Sequence, residues 1–511
     1  MITKPSLGEL LHAAAATTER VVLPALAGTS AVDPATSVLM LLDRLEAEWP
    51  VVACHLVEDN LDIELTLQRL GRDVPTSAEA ARTVDQLAAR NAALKAALVA
   101  TMDALDLPAA SDAPSEVATA DREVLDLLGR LLRRELTAIP GVTPRVNPLS
   151  RGGDPLTGEE VELITGCLER FLANEMPHAT AIAVHRVSKL AGGASREAFV
   201  FEVDWGDADG AHHERCVMLR QPVSSVLESD ESDERITGSR RLPHVEFNMI
   251  RLMERQGIPV PHMLWVEPTG AYLERPFSIA RWIDGEADLT KLGGEPHLPT
   301  ILDHYVDILG RVHNLDLADA GVDFLGAPTV ETAASEQVEL FASGYERQRL
   351  EDFPAIAYMI RWLRKNCPVA GRVSVIHGDF RLGNFMWDDN GIVAMLDWEQ
   401  CHVGDPVEEI AFMYWRLWSL GAMIPIRELV ERYERASGIA VDEQALAFYR
   451  VFIELKMSVV ILTGIRSFYA TAERQLVYGA SAGFEMLRDG QLLVVEQLAA
   501  GGPTVEFGGD A

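Results

Sequence analysis

Cysteine is scarce in this chain and is never arranged for bridging or for metal binding. The five cysteines (Cys54, Cys167, Cys216, Cys367 and Cys401) are odd in number, scattered, and never in a C-x-x-C pair. Disulfide frameworks usually show an even number of cysteines, and structural zinc sites usually show closely spaced pairs. The pattern therefore argues against both kinds of site.

The sequence also lacks a long apolar run and a secretory leader. No stretch approaches the roughly 18 consecutive apolar residues that suggest a membrane-spanning helix. The first residues, MITKPSLGELLHAAAATTER, contain no signal-peptide core and no cleavage pattern. We therefore expect no membrane association and a cytoplasmic location.

Basic residues are in deficit. The chain has 45 Lys and Arg against 77 Asp and Glu, so its formal net charge is −32. Such a surface repels nucleic acid and anionic lipid, which argues against a general role in binding polyanions. A nucleotide site in this background would need cations of its own nearby.

The N-terminal part of the chain has the pattern of helices only. A length of 511 residues with 48% hydrophobic residues suggests two or three globular domains. Apolar residues recur at helical spacing through the first 140 or so residues, with a break at Pro50. We expect residues 1–140 to form an all-α bundle that mediates interaction or regulation, through a protein partner or a homodimer. Residues 141–158, rich in Pro and Gly, are expected to be a linker.

The texture changes after the linker. Strand-like runs follow, and AFVFEVDW and ERCVMLRQP flank GDADGAHH as in a hairpin. Residues 159–281 are therefore expected to form a β-rich lobe, residues 282–500 a helical lobe, and residues 501–511 a flexible tail. Strands followed by helices predict an α+β fold of two lobes with a cleft between them.

The β-rich region carries a glycine-containing loop and a strand-end cation. In LAGGASREAFVF, Gly192, Gly193 and Ser195 lie between two strands, where backbone N–H groups can cradle phosphates. Arg220 ends the strand CVMLRQP and is placed to meet phosphate oxygens. We expect Glu246, one turn into the next helix, to pair with Arg220.

The polar stretch HGDFRLGN and the following MLDWE bring chemically useful groups together. The first contains His377, Asp379, Arg381 and Asn384, and the second delivers Asp397. Between them, FMWDDNGIVAML has the pattern of a small hairpin. The hairpin should return the carboxylate to a point beside the asparagine, and such oxygen atoms suit Mg²⁺. Glu399 lies near enough in sequence to contact metal or substrate.

In order and spacing, these segments resemble the protein-kinase-like fold, and in detail its aminoglycoside phosphotransferase-like branch. HGDFRLGN resembles the H-G-D-x-x-x-x-N motif of that branch, MLDWE its strand-D-W-E, and GDPVEEIA its G-D-P segment. The likeness covers roughly residues 160–490. No D-F-G motif and no A-P-E-closed activation segment is present, which disfavours a protein Ser/Thr kinase.

The resemblance implies a role for each matching residue. Asp379 would be the catalytic base, with Arg381 beside it to offset carboxylates or reach a phosphate. Asn384 and Asp397 would hold Mg²⁺, and His377 and Asp405 would brace the catalytic loop. The remaining assignments concern ATP. Its phosphates would contact Gly192, Gly193, Ser195 and Arg220, and Glu246 would hold Arg220 in position. The edge of its adenine would contact a hinge formed by Ala280, Arg281, Trp282 and Ile283.

The expected function is that of an ATP- and Mg²⁺-dependent phosphotransferase acting on a hydroxyl group of a small molecule. Hydroxyacyl-CoA, macrolide and aminoglycoside acceptors all stay open, and a metabolite hydroxyl ranks above an aminoglycoside. The alternative is a pseudokinase scaffold that binds a partner through its N-terminal helices. Arg220 stands where kinases usually have lysine, which leaves that alternative open.

Overall fold

The structure is a computed structural model of the chain. It describes residues 7–26, 32–76, 83–105, 119–138, 156–190, 196–220, 243–287, 291, 298–415, 424–470 and 483–503. Gly192, Gly193 and Ser195 lie outside these ranges, as do most of the predicted linker and most of the predicted tail. The predictions made for them therefore stay predictions.

Along the sequence, helices precede and follow a central β-rich stretch. In chain order they are α1 (Leu7–Thr17), α2 (Leu23–Ala25), α3 (Val32–Glu48), α4 (Val52–Arg69), α5 (Val84–Asp103), α6 (Thr119–Ala138), α7 (Gly158–Glu175), α8 (Pro243–Arg255), α9 (Leu298–His313), α10 (Leu317–Ala320), α11 (Ala333–Gln348), α12 (Pro354–Lys365), α13 (Val407–Met413), α14 (Ile426–Ser437), α15 (Glu443–Ala470) and α16 (Gly483–Ala499). The predicted break at Pro50 is confirmed, because it lies between α3 and α4. A π-helical turn, Thr18–Val22, joins α1 to α2.

The strands form one larger sheet and two small pairs. They are β1 (Thr180–Lys189), β2 (Glu197–Asp207), β3 (Gly210–Arg220), β4 (Met263–Glu267), β5 (Phe277–Arg281), β6 (Ser374–Ile376), β7 (Phe385–Asp388), β8 (Gly391–Met395) and β9 (His402–Gly404). The larger sheet has the order β1-β2-β3-β5-β4 with antiparallel neighbours. The predicted β2–β3 hairpin is confirmed.

One face of the larger sheet packs against α7. Thr157 and Glu160 start this helix with a capping box, which satisfies backbone N–H groups that the first turn would otherwise leave open. Phe199, Phe201 and Met218 of the sheet share a buried cluster with Leu168 and Phe171 of the helix. This apolar cluster fixes which strand residues point towards α7.

The two small strand pairs position the residues around the HGDFRLGN stretch. β6 pairs with β9, and β7 pairs with β8, both antiparallel. The β7–β8 pair is the predicted hairpin with the Asn-Gly turn, and Gly391 has a φ of +126°, which favours glycine. This hairpin is therefore confirmed.

Contacts divide the chain into two compact units. The first unit contains Met1–Pro148, Ala334–Val369 and Glu443–Glu506. The N-terminal helices thus belong with α12, α15, α16 and most of α11. Whether residues 1–140 also form a bundle of their own stays a prediction. Within this unit α5 packs against α12 and α6 packs against α16.

Ion pairs accompany that packing in the first unit. Arg133 Nη2 lies 2.8 Å from Glu496 Oε1. On the α12 side, the Arg361 guanidinium donates a hydrogen bond of 2.5 Å to the carbonyl oxygen of Leu105, and its Nε lies 3.7 Å from Asp103. These contacts join segments far apart in the sequence.

The second unit contains Leu149–Ala333, Ala370–Asp442 and Phe507–Ala511. It includes the larger sheet, α7 to α10, the two small strand pairs, α13 and α14. All described residues that the sequence nominated for chemistry lie in this unit. The predicted α+β fold class, with a β-rich part followed by a helical part and preceded by helices, is confirmed. No helix in the described ranges is both long and apolar enough to cross a membrane.

Candidate functional site

The HGDFRLGN stretch is a tightly held loop that leaves β6. Gly378 has a φ of +85°, and a Cβ atom at this position would lie 2.3 Å from the carbonyl oxygen of Gln400. Only glycine fits such a backbone conformation and such a close approach. The turn at the start of the loop therefore requires glycine, and Gly378 occupies that position.

Asp379 is held by two neighbours within the same loop. The side-chain amide of Asn384 donates two hydrogen bonds to Asp379, one of 2.7 Å to the Oδ2 atom and one of 2.9 Å to the backbone carbonyl oxygen. The Arg381 Nε atom lies 3.2 Å from the Asp379 Oδ1 atom. The three side chains therefore meet, as the spacing predicted, and Asp379 is oriented before any substrate arrives.

A buried histidine–glutamate brace supports this loop from below. Glu409 of α13 accepts hydrogen bonds from the backbone N–H groups of His377 (3.0 Å) and Gly378 (2.8 Å). His313 of α9 places its Nε2 atom 3.2 Å from the same carboxylate. Burial opposes ionisation, but the His313 contact and the loop N–H groups hold the pKa of Glu409 below its usual range. The His377 ring reaches the Leu396 carbonyl oxygen at 3.0 Å.

The sequence pointed to GDPVEEIA only as a G-D-P segment, so the role of Glu409 in the loop was missed. Nothing local in the sequence marks it, because its partners lie 31 and 32 residues away in the chain. Asp405 lies just before it and accepts a hydrogen bond of 3.0 Å from the backbone N–H of Val407. That contact stabilises the start of α13.

Asp397 follows β8 and returns beside Asn384. The backbone N–H of Leu396 donates 2.8 Å to the carbonyl oxygen of Asn384. Asp397 itself has a left-handed backbone, with φ 64° and ψ 62°. Burial, then the neighbouring Glu399 and Asp379 carboxylates, raises the pKa of Asp397 to about 7. Crowded carboxylates of this kind are common where a cation binds.

Arg196 supplies the positive charge next to these carboxylates, and the sequence analysis did not nominate it. It forms an ion pair with Glu246 of α8, and its Nη2 atom lies 3.6 Å from the Glu399 Oε2 atom. All three side chains are buried. Glu246 also accepts a hydrogen bond of 3.0 Å from the backbone N–H of Trp398, directly after Asp397. The only signal in the sequence was an arginine between the glycine-containing loop and β2.

The predicted pairing of Arg220 with Glu246 is wrong. The Arg220 Nη2 atom lies 2.8 Å from the Glu197 Oε2 atom, and its guanidinium lies 4.8 Å from the Phe199 ring centroid. Arg220 shares its strand face with Met218, which packs towards α7. Strand alternation thus turns Arg220 away from α8.

Three cations surround Glu197 on that face of the sheet. Lys189 and Arg275 lie 2.8 and 3.0 Å from its carboxylate oxygens, in addition to Arg220. Burial resists ionisation, yet Lys189 and Arg220 hold the pKa of Glu197 below its usual range. The phosphate role that the resemblance implied for Arg220 would therefore require release from this cluster.

The predicted hinge lies at the end of β5. Ala280 pairs with Val217, and Arg281 pairs with Cys216. The Arg281 side chain is exposed, and its Nε atom donates 2.9 Å to Glu214. The Trp282 backbone N–H donates 2.8 Å to the Arg215 carbonyl oxygen, and the Arg215 guanidinium lies 3.9 Å from the Trp282 ring centroid.

Ile283 follows Trp282 and is half-buried. Contact of these four residues with adenine stays a prediction.

Asn384 and Asp397 can each offer an oxygen ligand to a magnesium ion whose remaining ligands come from water and phosphate oxygens. Both described hydrogen bonds of the Asn384 side chain use its nitrogen, so the amide oxygen remains an acceptor. Mg²⁺ sites commonly use one or two carboxylates and complete their shell with water and phosphate oxygens. Within the described ranges, no three His, Cys, Asp or Glu side chains are grouped to hold a metal ion. A metal here would depend on the bound nucleotide for ligands.

The chain is similar to parts of longer curated proteins. It is 26% identical to mouse (Mus musculus) acyl-CoA dehydrogenase family member 10 over 223 residues, which cover 42% of this chain and 20% of that protein. It is 26% identical to human acyl-CoA dehydrogenase family member 11 over 243 residues, which cover 44% of this chain and 30% of that protein. The matches thus span less than a third of either relative.

Solved structures with a similar fold include two phosphotransferases. A putative aminoglycoside phosphotransferase from Ralstonia eutropha is 20% identical, with a TM-score of 0.46, and covers 64% of this chain and 97% of that chain. Macrolide 2'-phosphotransferase type I is 14% identical, with a TM-score of 0.44, and covers 63% of this chain and 97% of that chain.

Residues 233–450 match the model of the phosphotransferase enzyme family, APH. That range contains Glu246, the HGDFRLGN loop and Asp397, which the structure places around one carboxylate-rich site. The order of elements around it, a five-stranded antiparallel sheet followed by helices, confirms the predicted protein-kinase-like fold. The likeness to the phosphotransferase enzyme family thus covers residues 233–450 of the chain.

Proposed function

We propose that this protein transfers the γ-phosphoryl group of ATP to a hydroxyl group of a small molecule, with Mg²⁺ as the metal. The observation that carries the proposal is the meeting of three groups. The side-chain amide of Asn384 donates a hydrogen bond of 2.7 Å to the Asp379 carboxylate. The backbone carbonyl oxygen of Asn384 accepts a hydrogen bond from the backbone N–H of Leu396, the residue before Asp397. Asn384 thus contacts the proposed base, Asp379, and forms the proposed metal-binding pair with Asp397.

In the proposed reaction, Asp379 accepts the proton of the acceptor hydroxyl. The hydroxyl oxygen forms a bond to the γ-phosphorus, the bond from that phosphorus to the bridging oxygen breaks, and ADP leaves. Phosphoryl transfer needs mainly positioning and charge neutralisation from the protein. When bound by Asn384 and Asp397, Mg²⁺ would offset charge on the phosphate oxygens.

The chain's own cations complete the proposed arrangement. Arg196 holds Glu246 and Glu399 and lies close enough to lower the cost of ionising Asp397. Arg381 keeps the Asp379 carboxylate in place at 3.2 Å. The ion pair with the α8 glutamate is thus made by Arg196, which we propose as the residue that couples α8 to the metal-binding carboxylate.

For the acceptor, we rank hydroxyacyl thioesters first among the candidate classes. The curated relatives are named as acyl-CoA dehydrogenase family members, although the chain matches only a minor part of their length. Macrolides and aminoglycosides remain the alternatives. We also propose that the segment LWSLGAMIP, which falls largely outside the described residues, contributes to acceptor binding.

The deciding experiment is ADP release from MgATP against a panel of acceptors. The panel contains hydroxyacyl-CoAs, macrolides, aminoglycosides, sugars and amino alcohols. Asp379→Asn is compared with Asp307→Asn, the same chemical change at an exposed position of α9. We expect stimulation by one class, a loss of at least about 100-fold in Asp379→Asn, and wild-type turnover in the control.

Nucleotide binding should separate chemistry from assembly. Asp379→Asn should still bind MgATP, because Asn384 and Asp397 keep their oxygen atoms. Full turnover in Asp379→Asn would remove this residue as the base. A wild-type protein that binds no MgATP at all would overturn the proposed function and favour the scaffold alternative.

A further inference from the structure

A cavity of about 350 Å³ lies in the second unit, on the side of α8 away from the catalytic loop. Its lining comes from α8 and from the segment around the 3₁₀ turn Asp323–Leu325. The lining residues are Asn248, Arg251, Leu252, Arg255, Gly321 and Phe324. None of them takes part in the proposed phosphotransfer.

The geometry of α8 separates the cavity from the catalytic residues. Arg251 and Arg255 are four residues apart, so they lie one above the other on the same helix face. With 3.6 residues per turn, Glu246 falls on the other side of the helix. Burial agrees, because Glu246 is 2% exposed whereas both arginines are exposed. One helix thus presents a carboxylate inwards and two cations outwards.

Neither guanidinium is paired with a carboxylate of the described residues. In the described part of the chain no carboxylate forms an ion pair with Arg251 or Arg255, and no acidic residue lines the cavity. Arg251 lies 5.5 Å from the ring centroid of Phe247, on its own helix. The nearby Glu254 carboxylate lies 2.6 Å from His262. Two cations without an acidic partner among the described residues are unexpected in a chain with a net charge of −32.

The chemistry of the lining favours a phosphoryl group. Guanidinium groups present N–H donors in a planar fork that matches the oxygens of phosphate, and two forks on one face can share one dianion. The Asn248 amide, one turn before Arg251, adds a further donor. A single carboxylate would leave part of this donor set without an acceptor.

The remaining lining favours an apolar or planar group attached to that phosphate. Phe324 is 48% exposed, a large fraction for a phenylalanine, and Leu252 forms the floor on α8. The volume falls within the range of small-molecule pockets and leaves room beyond the phosphoryl group. An exposed aromatic ring beside two cations can cover the body of an organic ligand.

We propose that this cavity is a binding site for a small organic phosphate, with the phosphoryl group on Arg251 and Arg255 and the apolar or planar body against Phe324. The site is distinct from the proposed phosphotransfer site and does not depend on it. Its ligand is an organic monophosphate that need not be a reactant.

The test is calorimetric titration of the whole protein with phenyl phosphate, inorganic phosphate and phenol. We expect saturable binding of phenyl phosphate, weaker binding of inorganic phosphate, and none of phenol. The double variant Arg251→Gln/Arg255→Gln should bind phenyl phosphate at least about tenfold more weakly, since charge-assisted hydrogen bonds are lost. Phe324→Ala should remove the preference for phenyl phosphate over inorganic phosphate.

The matched control is Arg186→Gln/Arg435→Gln, which removes the same charge at two exposed positions outside the cavity. This control should bind phenyl phosphate like the wild type. Absence of saturable binding to the wild-type protein overturns the proposal, as does equal weakening in the two double variants. MgATP binding, measured separately, reports on the phosphotransfer site, so the two proposals fail independently.

Discussion

Arg196 is the residue on which the charge balance of the candidate site depends. One buried guanidinium pairs with Glu246 and lies near Glu399, and its charge also favours ionisation of Asp397. Buried carboxylates are costly unless a cation lies beside them. The site thus tolerates several acidic groups because one arginine reaches them from the start of β2.

Replacing Arg196 by alanine is expected to destabilise the protein by about 3–5 kcal/mol, because Glu246 and Glu399 would be left buried without their cation. Turnover should fall as well. Chemical denaturation measures the first effect and ADP release the second. Arg196→Lys keeps the charge and should recover part of both.

The comparison variant for this experiment is Arg186→Ala, at an arginine whose side chain is 79% exposed. We expect it to change stability by less than about 1 kcal/mol. If Arg196→Ala is as stable and as active as Arg186→Ala, the assigned role of Arg196 is wrong.

Asp397 predicts a pH dependence of stability in the nucleotide-free protein. Its pKa is about 7 in the folded chain against 3.8 for an ordinary aspartate, so the folded state holds a proton that the unfolded state releases between these values. A raised pKa of this kind contributes stability that is complete below about pH 4. The contribution is lost as pH rises through 7.

Asp397→Asn removes this loss, since asparagine does not ionise. In EDTA and without nucleotide, the variant should be more stable than the wild type at pH 8, by on the order of 4 kcal/mol. The difference should shrink as pH falls towards 4. Denaturation curves across this range decide the matter, and a difference that stays constant with pH would contradict the assignment.

At the scale of elements, the HGDFRLGN loop is fixed by contacts on both sides. Gly378 lies against the Gln400 backbone. The Glu409 carboxylate accepts hydrogen bonds from the backbone N–H groups of His377 and Gly378. Backbone held in this way orients Asp379 at little further cost when substrate binds. The loop therefore depends on one glycine and on one glutamate from a helix that follows it.

Gly378→Ala is expected to reduce stability by roughly 2–4 kcal/mol and to lower turnover, because the added Cβ meets the Gln400 backbone at a positive φ. Gly371→Ala is the matched control, since a Cβ there has no neighbour within 4 Å. Thermal unfolding and ADP release are measured on both. Equal stability of the two variants would show that the loop can relax, and the close approach would then carry no cost.

At the scale of the whole molecule, the first unit is assembled from three separate stretches of chain. Leu94, Leu98 and Met102 of α5 are fully buried, in the helix that packs against α12. Val124 and Leu128 of α6 are buried as well, in the helix that packs against α16. Removing the N-terminal helices would therefore expose apolar surface on the later ones.

A chain lacking residues 1–138 is expected to be largely insoluble or to lose cooperative unfolding, whereas removal of residues 504–511 should have little effect. Size-exclusion chromatography and thermal unfolding compare the two truncations. A soluble, monodisperse and cooperatively unfolding 139–511 chain would instead support the predicted independent bundle at residues 1–140.

The sequence by itself determined the features that depend on neighbours along the chain. The HGDFRLGN loop and the β7–β8 hairpin bring Asp379, Asn384 and Asp397 together over 19 residues, and turn chemistry sets their register. Hydrophobic periodicity likewise predicted that the N-terminal part is helical, and two strand-like runs around a turn segment predicted the β2–β3 hairpin. Such signals are local, so they can be read without the fold.

Only the tertiary structure decided which charges meet across the fold. Arg220 and Arg196 are both arginines beside β2, but strand alternation and the packing of α7 turn Arg220 towards Glu197 and leave Glu246 to Arg196. Glu409 reaches the catalytic loop, and the N-terminal helices join the late ones, through contacts between distant segments. These pairings depend on which face each element buries, and that is settled when the whole chain packs.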